Sequence, residues 1–240
     1  MFQNIDNCSS LRYYSRMQTN IDITQIFLDA PAGFMSIHKI SKLLSMPYGT
    51  AYNRIHQLAD MGVVTIETKG KAKECSLNPD NSLSALLLAL GSAQKTEQYK
   101  LAYPAAARLL KKIEDVVANN PGTRANAILL MTPELFAEAA QSAENLVPDP
   151  APQIIDFMFL KADEDFNDEI VSTAVASMFP ANNVTASIMP LDHQTLLGML
   201  KESESNAGYT AVSMLRSGIL LKGFECFYRL ILNAVSSQRN

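Results

Sequence analysis

The chain has 240 residues, 48% hydrophobic and 18% charged, with a formal net charge of −4. So apolar a chain offsets the entropy of folding by burial, which excludes a disordered protein and allows one large or two small domains. It has no run of ~18 uncharged apolar residues, so no transmembrane helix and no membrane partner are expected.

The N-terminus lacks a basic segment followed by an apolar one, so no secretory signal is expected. Three scattered cysteines (Cys8, Cys75, Cys226) fit a reducing, cytoplasmic location, and with three isolated histidines (His38, His56, His193) they offer no zinc spacing. No cofactor and no metal are expected. Residues 1–80 sum to +1 and residues 81–240 to −5. A mildly acidic protein still binds DNA where its cations cluster on one face, so local pattern decides.

Residues 1–20 are polar and read as a loose arm or a short lead-in helix. Ile23, Ile26, Phe27 and Ala30 then give a helical stripe over 21–30. A second short helix follows Ser36, a plausible N-cap, with Ile37, Ile40, Leu43 and Leu44 as its apolar positions. Pro47 suits the first turn of a third helix, 48–61, with Ala51, Ile55 and Leu58 on one face and Gly49, Asn53, His56, Gln57 and Asp60 opposite. Gly62 ends it. Residues 63–66 read as a strand, 68–73 as a tight basic turn and 74–77 as a returning strand. Asn78 to Asn81 close the unit and cap the next helix.

Helices are predicted over 82–101 and 104–117, and Asn119-Asn-Pro-Gly-Thr123 marks a domain boundary. Beyond it strands (127–131, 154–160, 184–189) alternate with helices. These are 133–146, capped by Thr132, then 162–179, 191–203, 208–216 and 224–235. Three strands joined by long helices imply a small α/β layer. The expected fold is therefore α+β: an N-terminal unit (1–80), a helical connector (81–122) and a C-terminal α/β unit (123–240).

Three helices followed by a β-hairpin are the parts of a winged helix-turn-helix. Residues 40–78, ISKLLSMPYGTAYNRIHQLADMGVVTIETKGKAKECSLN, resemble ArsR/MarR-like winged-helix regulators of archaea and bacteria. The resemblance rests on Leu43-Leu44 before the turn, Ala51, Ile55 and Leu58 facing inward, and Met61-Gly62-Val63-Val64 leading into the wing. It implies a recognition helix, 48–61, in the major groove, with a wing over 67–75 on the phosphate backbone. Tyr48, Gly49 and Thr50 lie at the helix start, where side chains reach base edges, and Gly49 permits close backbone approach. Asn53 and Gln57 can pair bidentately with adenine. Thr50, Tyr52 and Arg54 are placed for phosphates, and Lys69, Lys71 and Lys73 put three positive charges near the wing tip. The plainer alternatives are a solvated hairpin tip, and surface positions for His38 and His56.

The C-terminal half resembles the minimal nucleotidyltransferase domains that archaeal regulators carry behind a winged helix. The likeness lies in residues 187–201 (strand, Pro, helix) and 215–231, where a Gly-Ile-Leu turn and Gly223 precede a final amphipathic helix. Residues 127–131 and 154–160 occupy the first two strands. The family's activity implies a Gly-Ser turn after the first strand, an Asp-x-Asp pair on the second and an acid on the third, holding divalent metal. Here the turn is Met131-Thr132-Pro133, Ile154 takes the first carboxylate position, only Asp156 remains and 184–189 has no acid. No catalytic residues are expected, and Asp156 reads as a remnant. The acidic run Asp163-Glu-Asp165 and Asp168-Glu169 reads as a charged helix start, and Cys226 as a buried small hydrophobe.

The expectation is a sequence-specific DNA-binding transcriptional regulator. Its partners are double-stranded DNA and a second copy of the chain, with a C-terminal domain for dimerisation or sensing a small-molecule effector. The competing readings are a nucleotidyltransferase, or an antitoxin-type relative, tethered to nucleic acid by its winged helix, and an interaction scaffold that touches no nucleic acid.

Overall fold

The computed structural model describes residues 7–29, 34–70, 72–145, 152–162, 164–179, 183–201 and 217–239. The protein is mixed α+β and divides into two compact units. One runs to Gly91 and takes in the chain end from Val235; the other is Ser92–Ala234. The boundary falls inside a helix, so the stretch expected as a separate connector is shared out, and most of it belongs to the second unit.

The first unit begins with α1 (Asn7–Ile26) and a single 3-10 turn (Phe27–Asp29), followed by β1 (Met35–Ser36), α2 (Ile37–Leu43) and α3 (Tyr48–Asp60). The helix expected from residue 21 starts at Asn7, so of the two readings of the polar first stretch the lead-in helix is the one seen from there on, continuous with the next. Ser36 caps α2, its hydroxyl accepting from Lys39 N at 3.2 Å. The turn after α2 is a Schellman arrangement. Ser45 N donates to Lys42 O and Met46 N to Ser41 O, with Ser45 in the left-handed region at φ 50°. Leu43 is half exposed rather than core. Pro47 sits just before α3 as its N-cap instead of inside the first turn.

Ala51, Ile55 and Leu58 of α3 are fully buried. The helix ends in a second Schellman arrangement, Gly62 N to Ala59 O and Val63 N to Leu58 O, with Gly62 at φ +73°. Its last carbonyls find side-chain donors: Asn81 Nδ2 reaches Met61 O at 3.0 Å and Asn78 Nδ2 reaches Gly62 O at 2.7 Å. A hairpin follows, β2 (Val64–Lys69) and β3 (Ala72–Leu77), turning at Gly70 (φ +62°). β1 pairs antiparallel with β3, giving a three-stranded sheet in the order β1-β3-β2. Val64 faces Leu77, Ile66 faces Cys75 and Thr68 faces Lys73 across the hairpin. By the two-residue period of a strand, Lys73 therefore lies on the face of the buried Cys75 and Leu77.

Asn81 Oδ1 accepts from Leu83 N and caps α4 (Ser82–Ala102), which α5 (Pro104–Asn119) follows. The second unit is built on a four-stranded sheet in the order β6-β5-β4-β7: β4 (Ala125–Leu130), β5 (Gln153–Lys161), β6 (Val184–Leu191) and β7 (Ile219–Lys222). β4 runs antiparallel to both neighbours and β5 parallel to β6. The fourth strand, β7, was expected as a turn. Four residues between Gly218 and Gly223 are too few to show a period. Pro190, expected after the third strand, lies within β6, an edge strand where its missing N–H costs no ladder bond.

One face of this sheet packs Ile128, Ile155, Phe157, Phe159 and Leu221 against α5, α6 (Pro133–Glu144) and α7 (Asp168–Ser177). Phe136 of α6 meets Phe157 and Phe179 edge-on, at 6.0 and 5.9 Å between ring centres. Leu110, Ile113 and Val117 of α5 belong to this core, and so does Tyr99 of α4, whose hydroxyl donates to Pro133 O at 2.7 Å.

α7 starts at Asp168 rather than 162. Asn167 caps it, and Asp168 and Glu169 occupy its first turn, where the helix dipole favours carboxylates. The unit ends with α8 (His193–Lys201) and the larger part of α9 (Phe224–Arg239), whose residues from Val235 belong to the first unit. The helix expected over 208–216 lies outside the described residues. No described helix is long and apolar enough to cross a membrane.

Candidate nucleic-acid interface

α3 has a buried stripe and two open faces. The first open face carries Gly49, Asn53, Gln57 and Asp60, all exposed, and a Cβ placed on Gly49 would meet nothing within 4 Å. Tyr48 (50% exposed) and Thr50 stand at the helix start. Every side chain expected to reach base edges is thus accessible and lies on one helix.

One of those groups, Gln57, is not independent of a neighbour expected on phosphate. Arg54 Nη1 donates to Gln57 Oε1 at 2.8 Å, one helical turn away. A guanidinium expected on phosphate and an amide expected on a base are therefore joined in the free protein.

The second face is an aromatic ladder at i, i+4, i+8. Tyr48 and Tyr52 rings lie 6.2 Å apart, and Tyr52 and His56 rings 4.3 Å. Lys73 crosses from β3 onto this ladder. Its ammonium donates to the Tyr52 hydroxyl at 2.9 Å, lies 3.3 Å from His56 Nε2, and sits 4.9 Å from the centre of the Tyr52 ring. Lys73 and Tyr52 are both half-buried. The sequence put Lys73 at the tip with two other lysines and Tyr52 on phosphate; the structure brings the two together at the flank of α3. Strand alternation from Cys75 and Leu77 was the available signal for Lys73, and the Tyr-x₃-Tyr-x₃-His spacing for the ladder, including His56, which was read as an isolated surface residue. Lys69 pairs in register with Ala72, and Lys71 lies outside the described residues.

Sequence reading also passed over α2. His38, Lys39 and Lys42 are exposed there, two cations on the helix that precedes the α2–α3 turn. Next to the ladder, burial pushes the Cys75 thiol up to about 11, against a smaller opposing pull from the Lys73 ammonium.

In the second unit Asp156 is half-buried at the start of β5, and its backbone is spent on a turn. Met131 N donates to Asp156 O at 2.8 Å and Asp156 N to the Thr132 hydroxyl at 3.0 Å. Thr132 holds β5 in this way and makes no side-chain cap on α6, contrary to expectation. Ile154, two residues earlier on β5, is 56% exposed. Among the described residues no three His, Cys, Asp or Glu side chains are grouped to hold a metal ion. Cys226, expected in the core, is exposed on α9. It borders an open hollow of about 700 Å³ with His193, Glu225, Arg229 and Asn233, where Arg229 is already held by Glu225 at 2.7 Å.

Comparison with protein-family models, with curated proteins and with solved structures gave no match.

Proposed function

We propose that the chain is a sequence-specific DNA-binding transcriptional regulator whose first unit is a winged helix-turn-helix. The order helix, strand, two helices, hairpin supports this, as does the pairing of the first strand onto the hairpin. One observation carries the reading: Asn53 and Gln57 stand exposed on α3 opposite the buried Ala51, Ile55 and Leu58, while the hairpin leans on the same helix through Lys73. A helix so presented fits the major groove, with amides facing base edges and a hairpin beside it at the backbone. Lys39 and Lys42 of α2 add cations where the first helix of such a motif crosses phosphates.

The second unit, on this reading, is a non-catalytic relative of minimal nucleotidyltransferases that dimerises or senses a small ligand. Ile154 in place of a carboxylate and a Met131-Thr132-Pro133 turn in place of Gly-Ser support the non-catalytic role. The hollow beside His193 and Cys226 is where an effector would fit. A single recognition helix reads few base pairs, so a homodimer on two half-sites follows from the specificity a regulator needs.

Selection of bound fragments from a random duplex pool by the intact chain tests this. Enrichment of an inverted repeat with half-sites about 10 base pairs apart is expected. Recovery of a pool with no enriched sequence overturns it.

A further inference from the structure

We infer that Lys73 is a positioning residue, a latch that fixes the angle of the hairpin on α3, and that it makes no phosphate contact of its own. The inference deepens the DNA-binding reading and rests on it. An ammonium has three donors and no acceptor. Here the ammonium donates to the Tyr52 hydroxyl at 2.9 Å, at the hydroxyl end of that ring, and His56 Nε2 lies 3.3 Å away on a second side. Tyr52 is itself flanked by His56 on one side and Tyr48 on the other, in tilted ring contacts, so the lysine meets a packed row rather than a loose side chain. The backbone enforces the arrangement: Lys73 stands on the strand face that carries Cys75 and Leu77, both buried.

A cation that reaches phosphate from a wing needs a free head group on a flexible stem, whereas the Lys73 head group is engaged on two sides and the residue is half-buried against α3. Its role is to join β3 to the helix beside it. A β-hairpin pinned only at its base swings about its turn-distal end. A tie between residue 73 and residue 52 removes that freedom and holds the tip at one distance from the groove-facing amides. Binding then does not have to order the hairpin, which is how preorganisation strengthens a complex without adding a contact.

Phosphate contact and latch are separable by salt. Each phosphate neutralised contributes about 0.9 to the slope of log K against log salt concentration. The experiment titrates intact chain into a 30-base-pair mixed-sequence duplex, and into the duplex selected above, between 50 and 200 mM salt. The proteins are wild type, Lys73→Met, Lys73→Arg and Tyr52→Phe. The latch predicts a three- to tenfold loss of affinity in Lys73→Met, a smaller loss in Tyr52→Phe, recovery in Lys73→Arg, and one common slope.

A slope lower by about one in Lys73→Met, or unchanged affinity in both Lys73→Met and Tyr52→Phe, overturns the latch while leaving DNA binding intact. Absence of salt-dependent duplex binding by wild type instead sinks the reading on which it rests. Should Lys73→Met fail to fold, Lys73→Gln takes its place: reduced affinity at constant slope supports the latch, and anything else contradicts it.

Discussion

Arg54 and Gln57 stand one turn apart on α3, and the guanidinium of the first donates to the amide oxygen of the second at 2.8 Å. The bond orients the Gln57 amide and keeps the Arg54 charge close to the helix. Removing either partner should therefore change two things at once. In Gln57→Ala the selected duplex is expected to lose discrimination at one base pair, by about 1–3 kcal/mol. Arg54, released, is free to find a phosphate, and the salt slope should steepen by about 0.9. Among the described residues Asn53 has no such partner, so Asn53→Ala should relax one base pair and leave the slope alone. Competition binding with single-base variants, repeated at three salt concentrations, distinguishes the two.

The helix ends of the first unit make opposite predictions for two neighbouring turns. Gly62 occupies the left-handed region at φ +73°, and a Cβ there would lie 2.7 Å from the Asn81 amide nitrogen that holds Met61 O. Gly62→Ala should cost about 1–2 kcal/mol. Ser45 occupies the same backbone region at φ 50° in the turn between α2 and α3, where glycine carries no steric penalty. Ser45→Gly is expected to stabilise by about 1 kcal/mol. Denaturant unfolding of the two variants should move the midpoint in opposite directions.

Much of this first unit is legible from residue type alone. Ser36 before an apolar stripe, Gly62 after one, and Asn81 ahead of a leucine run each name a helix end, because each supplies a group that the backbone lacks there. The face of α3 is legible from the spacing of Ala51, Ile55 and Leu58. Pairings between elements are not. The Tyr52–Lys73 contact depends on how the hairpin twists over the helix, and Thr132 chooses the Asp156 amide over its own helix because β5 passes beside it. The first part of α1 does not announce itself. From Asn7 to Asn20 polar and apolar residues mix without a stripe, and only the stripe from Ile21, with Ile21 and Ile23 buried, marks the helix. Cys226 shows the limit of composition: an apolar neighbourhood in sequence left its thiol outside.

The two described thiols should differ sharply. Cys75 is buried and its thiol is held up to about 11, whereas Cys226 is exposed. In a Cys8→Ser background at pH 8, one equivalent of thiol reagent should react with the native protein and a second only on unfolding. Because folding raises the Cys75 value, the folded state holds its proton longer. That contribution to stability is complete below the unfolded thiol range near 8.5 and is lost as pH rises toward about 11. The stability gap between wild type and Cys75→Ala should accordingly narrow over that interval, in equilibrium unfolding measured from pH 8 to 11.

Gly223 fixes the entry to α9. Its φ is +78°, and a Cβ at that position would fall on the carbonyl oxygen of Asn126 and within 2.8 Å of the Ala127 Cα. All of these atoms are backbone of β4, so no side chain can yield. Gly223→Ala should destabilise the second unit by at least about 3 kcal/mol, beyond the usual range of single substitutions. Gly198, with nothing within 4 Å of its position, should accept alanine without loss. Thermal unfolding of the two variants side by side checks the contrast.

The central claim, that α3 and its hairpin form a groove-reading surface, is tested most directly by fluorescence anisotropy of a labelled 30-base-pair duplex titrated with the intact chain across 50 to 200 mM salt. The account predicts affinity falling linearly on logarithmic axes, roughly a hundredfold over that range, as about four neutralised phosphates require. Affinity that is weak, indifferent to salt and equal for Asn53→Ala and wild type on every duplex would contradict it.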